Sequence, residues 1–112
     1  MDVQSHTRTH RVLQTLSPER VVGELVGSRA ELERELGERV VAVSYPVGHT
    51  INDRVDVRQA VEQAGYRVGF TNATGVQPMW GIDRFNFKRI SLAAHVPDSL
   101  FRAMLTLPMV FE

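Results

Sequence analysis

The sequence predicts an α/β chain of parallel strands with flanking helices. Three observations carry that expectation. A helix-period stretch lies between Ser17-Pro18 and Gly37, a continuous β-branched run follows at Val40–Val43, and the same helix-then-strand order returns across residues 52–70. Such runs suit strands buried on both faces, which is the environment of a parallel sheet covered by helices.

Each element has a local reason. Met1–Gln4 reads as the tail of a strand, and His6–Thr15, polar throughout its first half, as a loop running into a turn. Ser17 is a capping residue for free helix amides, and Pro18 fits the first helical position. Val21, Val22, Leu25, Val26, Leu32 and Leu36 then recur at helical spacing, and Gly37 ends the helix. Val40–Val43 is the strand, and Ser44–Thr50 is the loop at its C-terminal end. Asn52 is the expected cap of a second helix carrying Val55, Val57, Ala60, Val61 and Ala64, closed by Gly65. Tyr66–Phe70 is the next strand, residues 71–84 a long loop, Phe85–Leu92 another strand, and Asp98 or Ser99 starts a short final helix reaching Leu105. Right-handed crossovers between parallel strands put the helices outside the sheet. They also put the His6–His10 and Ser44–Thr50 loops together at the C-terminal ends of the strands, where functional loops gather in such folds.

Bulk composition narrows the function. At 112 residues the chain suits a single domain, residues 1–112, able to bury a core. Lys plus Arg equals Asp plus Glu at 13 each, so charge offers no case for a nucleic-acid partner or an anionic membrane surface. Without cysteine there are no disulfides, thiolate metal sites or thiol nucleophiles. No apolar stretch nears the ~20 residues of a membrane helix. The first residues lack a basic start followed by an apolar run, so the chain as written is expected in the cytoplasm, unless a longer parent carries a signal peptide.

Two segments can do chemistry. His6-Thr7-Arg8-Thr9-His10 spaces two histidines so that both imidazoles reach one metal ion from a helical turn or a compact loop. A third protein ligand and an open position complete such a site. A zincin protease has Glu after its first histidine; Thr7 stands there instead, which argues against a peptidase, and Thr7 is a candidate to orient a ligand. The alternative is two polar histidines near a chain end that bind nothing. Ser44-Tyr45-Pro46-Val47-Gly48-His49 is the second segment. Pro46 turns the chain after the strand, and a turn amide such as that of Val47 suits a developing oxyanion; the alternative is an ordinary strand-ending turn. His49 either faces solvent or lines the same cleft. Trp80 and Met79 either stack on a sugar ring or pack over the core. Arg84, Lys88 and Arg89 read as a solvated face, with Arg89 able to pair with a buried carboxylate.

The order of these pieces resembles a known family. His6-Thr7-x-x-His10, then Ser17-Pro18-Glu19, Glu24-Leu25, Ser28-Arg29, Leu32-Glu33 and Leu36-Gly37, then Tyr45-Pro46-Val47-Gly48 and Gln63-Ala64-Gly65-Tyr66, is similar to the polysaccharide deacetylases. These are the NodB-like enzymes of carbohydrate esterase family 4. The resemblance runs from Ser5 to about Leu92, and Phe85–Ile90 looks like a segment near the end of many members.

The resemblance implies part of a distorted (β/α) barrel and removal of acetyl groups from N-acetylated, sometimes O-acetylated, carbohydrate polymers. It implies His6 and His10 as ligands of zinc or another divalent metal and the Val47 backbone amide as oxyanion donor; Tyr45, Pro46 and Trp80 are the candidate substrate contacts. An upstream Asp-Asp motif would supply the third ligand and the general base; only five residues precede His6, and Asp2 has no adjacent carboxylate. The family's Arg-x-Pro arginine falls on Ser44, and the late catalytic-acid histidine has His95 as its candidate. The chain is thus expected to be a partial domain, incomplete or inactive by itself, with an open sheet edge as an association liability. The other expectations are a metal- or carbohydrate-binding remnant without catalysis, and a structural fragment that folds with a partner.

Overall fold

The computed structural model describes residues 2–48, 50–51, 54–75, 80–89 and 97–106. Within them run helix α1 (Pro18–Leu36), strand β1 (Ala42–Ser44), helix α2 (Val55–Gln63), strand β2 (Val68–Thr74), strand β3 (Phe87–Arg89) and helix α3 (Asp98–Thr106). Short 3-10 turns occupy Leu13–Thr15 and Pro46–Gly48. Among the described residues the strands form one sheet in the order β1-β2-β3, with both pairs parallel. Ser5 extends it as an isolated parallel bridge to Val43. The expected α/β class and the parallel pairing are what the structure shows.

Helix α1 begins at Pro18, but the Ser17 side chain makes no capping bond; the Ser17 carbonyl takes the Val21 amide at 3.0 Å. Gly37 ends the helix with φ 70° and donates its amide to Glu33. The buried face is Val21, Glu24, Leu25 and Ser28, with Leu32 packed alongside. Val22 and Val26, expected on that face, are 45% and 46% exposed. The inward stripe is centred on Leu25, and two polar residues occupy it because both find partners in the segment preceding the helix.

Two strand boundaries differ from expectation. The strand expected at Val40–Val43 runs over Ala42–Ser44; Val40 remains fully buried, its amide bound by the Glu33 carboxylate and its carbonyl by Arg29. β2 continues four residues past Phe70, into the stretch read as loop. Thr71 is fully buried there and donates to the Phe87 carbonyl, so tertiary pairing makes a polar-looking segment into strand. β3 is shorter than Phe85–Leu92, because Phe85 and Asn86 belong to the preceding turn; residues 90–92 lie outside the described ones. So does Asn52, the expected cap of α2; Arg54 precedes that helix without a side-chain cap.

Leu13, Val21, Leu25, Val40, Val43, Val57, Val61, Tyr66 and Phe85 form one buried cluster between helices and sheet. Burying a Val or Leu side chain contributes about 1.5–3 kcal/mol. Tyr45 closes this core, 1% exposed, and donates its hydroxyl to the Phe85 carbonyl at 2.6 Å. Its hydroxyl lies over Gly69, where a Cβ would sit 2.0 Å away. Asp83 pins the turn before β3 onto α2. It accepts two bonds from the Arg58 guanidinium, at 2.9 and 2.6 Å, and one each from the Asn86 side chain and the Phe85 amide. The Arg58 bonds hold its carboxyl at a pKa of about 2, against an opposing effect of burial.

Two outcomes follow. Gly69→Ala should lower stability by about 3 kcal/mol through overpacking, and in a double-mutant cycle of chemical denaturation Tyr45→Phe should recover part of that loss; additive effects would contradict the contact. The Asp83 pKa is depressed on folding, so its contribution is present above the ordinary carboxylate value and lost as pH falls towards about 2. Thermal midpoints measured from pH 5 downward should therefore fall less steeply for Asp83→Asn than for the native chain.

Candidate functional site

Parallel pairing sets the site. Ser5 donates its amide to Ala42 and accepts that of Ser44, at 3.1 and 2.9 Å, and the Gln4 side-chain oxygen accepts the amides of Val41 and Ala42. His6 is therefore delivered beside the end of β1. Its Nδ1 lies 2.7 Å from the Ser44 carbonyl oxygen. A carbonyl only accepts, so Nδ1 carries the proton and the Nε2 lone pair is left for another partner.

The loop from His6 to His10 is compact rather than helical. Thr7 and His10 have φ values of 63° and 61°. Such left-handed conformations cost non-glycine residues about 1–3 kcal/mol each and persist only where surroundings impose them. The buried group bonded to the middle of this loop is Glu24 on α1, 7% exposed. One carboxylate oxygen accepts the amides of Arg8 and Thr9, both at 2.8 Å, and the other accepts the Thr9 hydroxyl. Burial pushes this carboxyl's pKa up, but the Thr9 hydroxyl, the two amides and the Arg20 charge outweigh it and hold it below the usual value. The loop's entry is tied separately, by a 2.8 Å bond between the Ser5 and Ser28 hydroxyls and by the Thr7 amide on Ser5. The His6 and His10 rings meet edge to face with centroids 4.8 Å apart.

Val47 is the third residue of this kind, with φ 63°. Among the described residues the non-glycine positions with positive φ are Thr7, His10 and Val47, and all three belong to this site. A cleft of about 670 Å³ is lined by His6, His10 and Val47 at its rim and by Ala42, Ser44, Phe70, Asn72 and Arg89 along one face of the sheet. Arg89, expected on a solvated surface, is part of the cleft wall. It donates to the Thr71 carbonyl at 2.7 Å and to the Asn72 side chain.

The expected site residues are distributed unequally. His6, His10 and Val47 come together. The side chains of Tyr45 and Pro46 are buried, so they face the core and not the cleft. Trp80 is 80% exposed and does not line the cleft. Asp2 accepts a bond from Gln4 and also lies outside the cleft lining. His95, His49 and Met79 lie outside the described residues. Glu24 was not anticipated as part of the site, although a carboxylate at a core position of a helix repeat is a recognisable signal of a buried polar contact.

Two features of the residues present fit a divalent cation. The His6 tautomer leaves Nε2 available, and the two rings stand close enough to share an ion at about 2.0–2.1 Å. The Thr7 hydroxyl is buried without a hydrogen-bond partner among the described residues and does not line the cleft. No third His, Asp or Glu joins the pair among the described residues.

The parallel α/β fold is shared with known polysaccharide deacetylases. The polysaccharide deacetylase family model matches residues 1–69. The chain belongs to the polysaccharide deacetylase family. It is 27% identical over 88 residues to "Putative polysaccharide deacetylase YxkH" of Bacillus subtilis (strain 168), covering 75% of this chain and 30% of that protein. A polysaccharide deacetylase from Bacillus cereus superposes with a TM-score of 0.79 at 27% identity, over 91% of this chain and 31% of its own. The Streptococcus pyogenes deacetylase PplD, solved in complex with acetate, shares the fold with a TM-score of 0.76 at 23% identity, over 88% of this chain and 42% of its own. The chain thus spans less than half the length of these relatives.

Long-range ¹H–¹⁵N correlation spectra of the neutral imidazoles should show His6 protonated at Nδ1. The opposite tautomer would contradict the bond to Ser44.

Proposed function

We propose that this chain contributes the two-histidine side of a metal-dependent site that hydrolyses acetyl groups on N-acetylated, or O-acetylated, carbohydrate polymers. The observation that carries the reading is the convergence of His6, His10 and Val47 on one cleft at the C-terminal ends of parallel strands. Membership of the polysaccharide deacetylase family supports the substrate class.

His6 and His10 would hold the cation, zinc or another divalent metal. When bound, such an ion supplies Lewis acidity for the acetyl carbonyl and for a water nucleophile. The chain's own residues then have separate tasks. The Ser44 carbonyl keeps the His6 proton on Nδ1 and leaves Nε2 unprotonated. Val47, turned by its left-handed backbone at the cleft rim, offers its amide to the oxygen that gains charge as the carbonyl is attacked. The sheet face under the rim, with Phe70, Asn72 and Arg89, gives a partly apolar floor and a fixed cation for the sugar or its substituent.

A second reading is a domain that binds metal or glycan without turnover. It needs only the His6–His10 pair and the cleft, with no further catalytic group.

His6→Ala and His10→Ala decide between these. Both side chains are exposed, so each variant should keep the native thermal midpoint within a few degrees. Each should lower zinc affinity at least tenfold and reduce acetate release from N-acetylated chito-oligosaccharide in step. Zinc binding that depends on both histidines without acetate release would support the second reading. Zinc binding indifferent to both substitutions would end the metal assignment.

A further inference from the structure

We propose that Glu24 is the positioning residue of the histidine pair: by locking the intervening loop onto α1 it fixes the separation and orientation of the His6 and His10 rings. The proposal deepens the metal-site reading and relies on it only for the zinc measurement below.

The case begins with what else could hold the loop. Arg8, Thr9 and His10 are exposed, so apolar burial does not anchor them. The two left-handed residues, Thr7 and His10, bracket the pair of amides that Glu24 receives. A backbone bent the unfavourable way on both sides of a two-residue unit relaxes unless that unit is tied, and the three donors of Arg8 and Thr9 all end on one buried carboxylate. Glu24 and Ser28 lie four residues apart on the same face of α1. Ser28 fixes the loop's entry through Ser5, and Glu24 fixes its middle. The loop lies directly on the helix: a Cβ on Gly27 would stand 3.5 Å from the Arg8 Cδ.

The carboxylate's chemistry predicts a graded response. Glutamine can keep its carbonyl oxygen on the two amides and turn its amide nitrogen to the Thr9 hydroxyl, which also accepts. The bonds survive and the charge is lost. Leucine leaves all three donors without a partner.

Four variants of the whole chain test this: Glu24→Leu, Glu24→Gln, Thr9→Val and Val61→Ala. Val61 is fully buried in α2, so its truncation lowers stability through a cavity away from the loop. Two quantities are measured, the nuclear Overhauser contact between the two imidazoles in metal-free chain and the calorimetric affinity for zinc alone. In Glu24→Leu the ring contact should disappear and zinc affinity should fall about tenfold or more. Glu24→Gln should keep the contact and lose a few-fold in affinity, and Val61→Ala should keep both despite a lower thermal midpoint. Glu24→Leu that folds with ring contact and zinc affinity intact overturns the proposal. If that variant does not fold, Thr9→Val takes its place: a weakened ring contact supports the proposal, and an unchanged contact together with unchanged zinc affinity in Glu24→Gln overturns it. A native chain that binds no zinc, yet loses the ring contact on substitution of Glu24, upholds the positioning role and removes the metal reading.

Discussion

The pairing of Ser5 with β1 is the constraint on which the site depends. Two backbone bonds, to Ala42 and from Ser44, place a residue near the chain start in register with a strand almost forty positions later. Parallel strands share a direction, so whatever follows Ser5 must emerge beside whatever follows Ser44. The histidine loop and the Val47 turn are neighbours for that reason. A slip of one residue would turn His6 away from the Ser44 carbonyl and exchange the faces of the segment.

Polar groups in the interior serve this arrangement. Glu24 and Ser28 interrupt the apolar stripe of α1, where a more hydrophobic residue would pack better against the sheet. Both are satisfied by the loop they support, so the desolvation of each is offset by bonds that a strained backbone needs. Asp83 does the same for the turn before β3, tying Phe85 and Asn86 to α2. Tyr45 shows the reverse case: a residue of the Tyr-Pro-x-Gly turn spends its hydroxyl on a core carbonyl and leaves the cleft to the backbone of Val47.

Much of this was legible in the residues. The α/β class, α1 from Pro18 to Gly37, the short helix closed at Gly65, and the meeting of the His6–His10 and Tyr45–Gly48 segments all follow from periodicity, capping residues and the direction of parallel strands. The family followed from motif order. What was not legible depends on contacts distant in sequence. The strand character of Thr71–Thr74 comes from β3, and local composition there reads as turn. Val22 and Val26 are as apolar as Val21 and Leu25, so the rotation of α1 could not be read without knowing which residues have polar partners. Arg89 reads as surface because nothing nearby in sequence reveals that Thr71 and Asn72 hold its guanidinium.

The uneven pairing of β2 with β3 has a consequence of its own. Phe70 faces Phe87 and Thr74 faces Arg89, so four steps along one strand match two along the other. The surplus is two residues, an even number. Side chains alternate between the faces of a regular strand, and across the irregularity Phe70, Asn72 and Arg89 all line the one cleft. Phe70 and Asn72 therefore stay on the same side as Arg89, and the floor of the cleft continues across the distortion. The irregularity thus lengthens one wall of the cleft without changing which chemistry it displays.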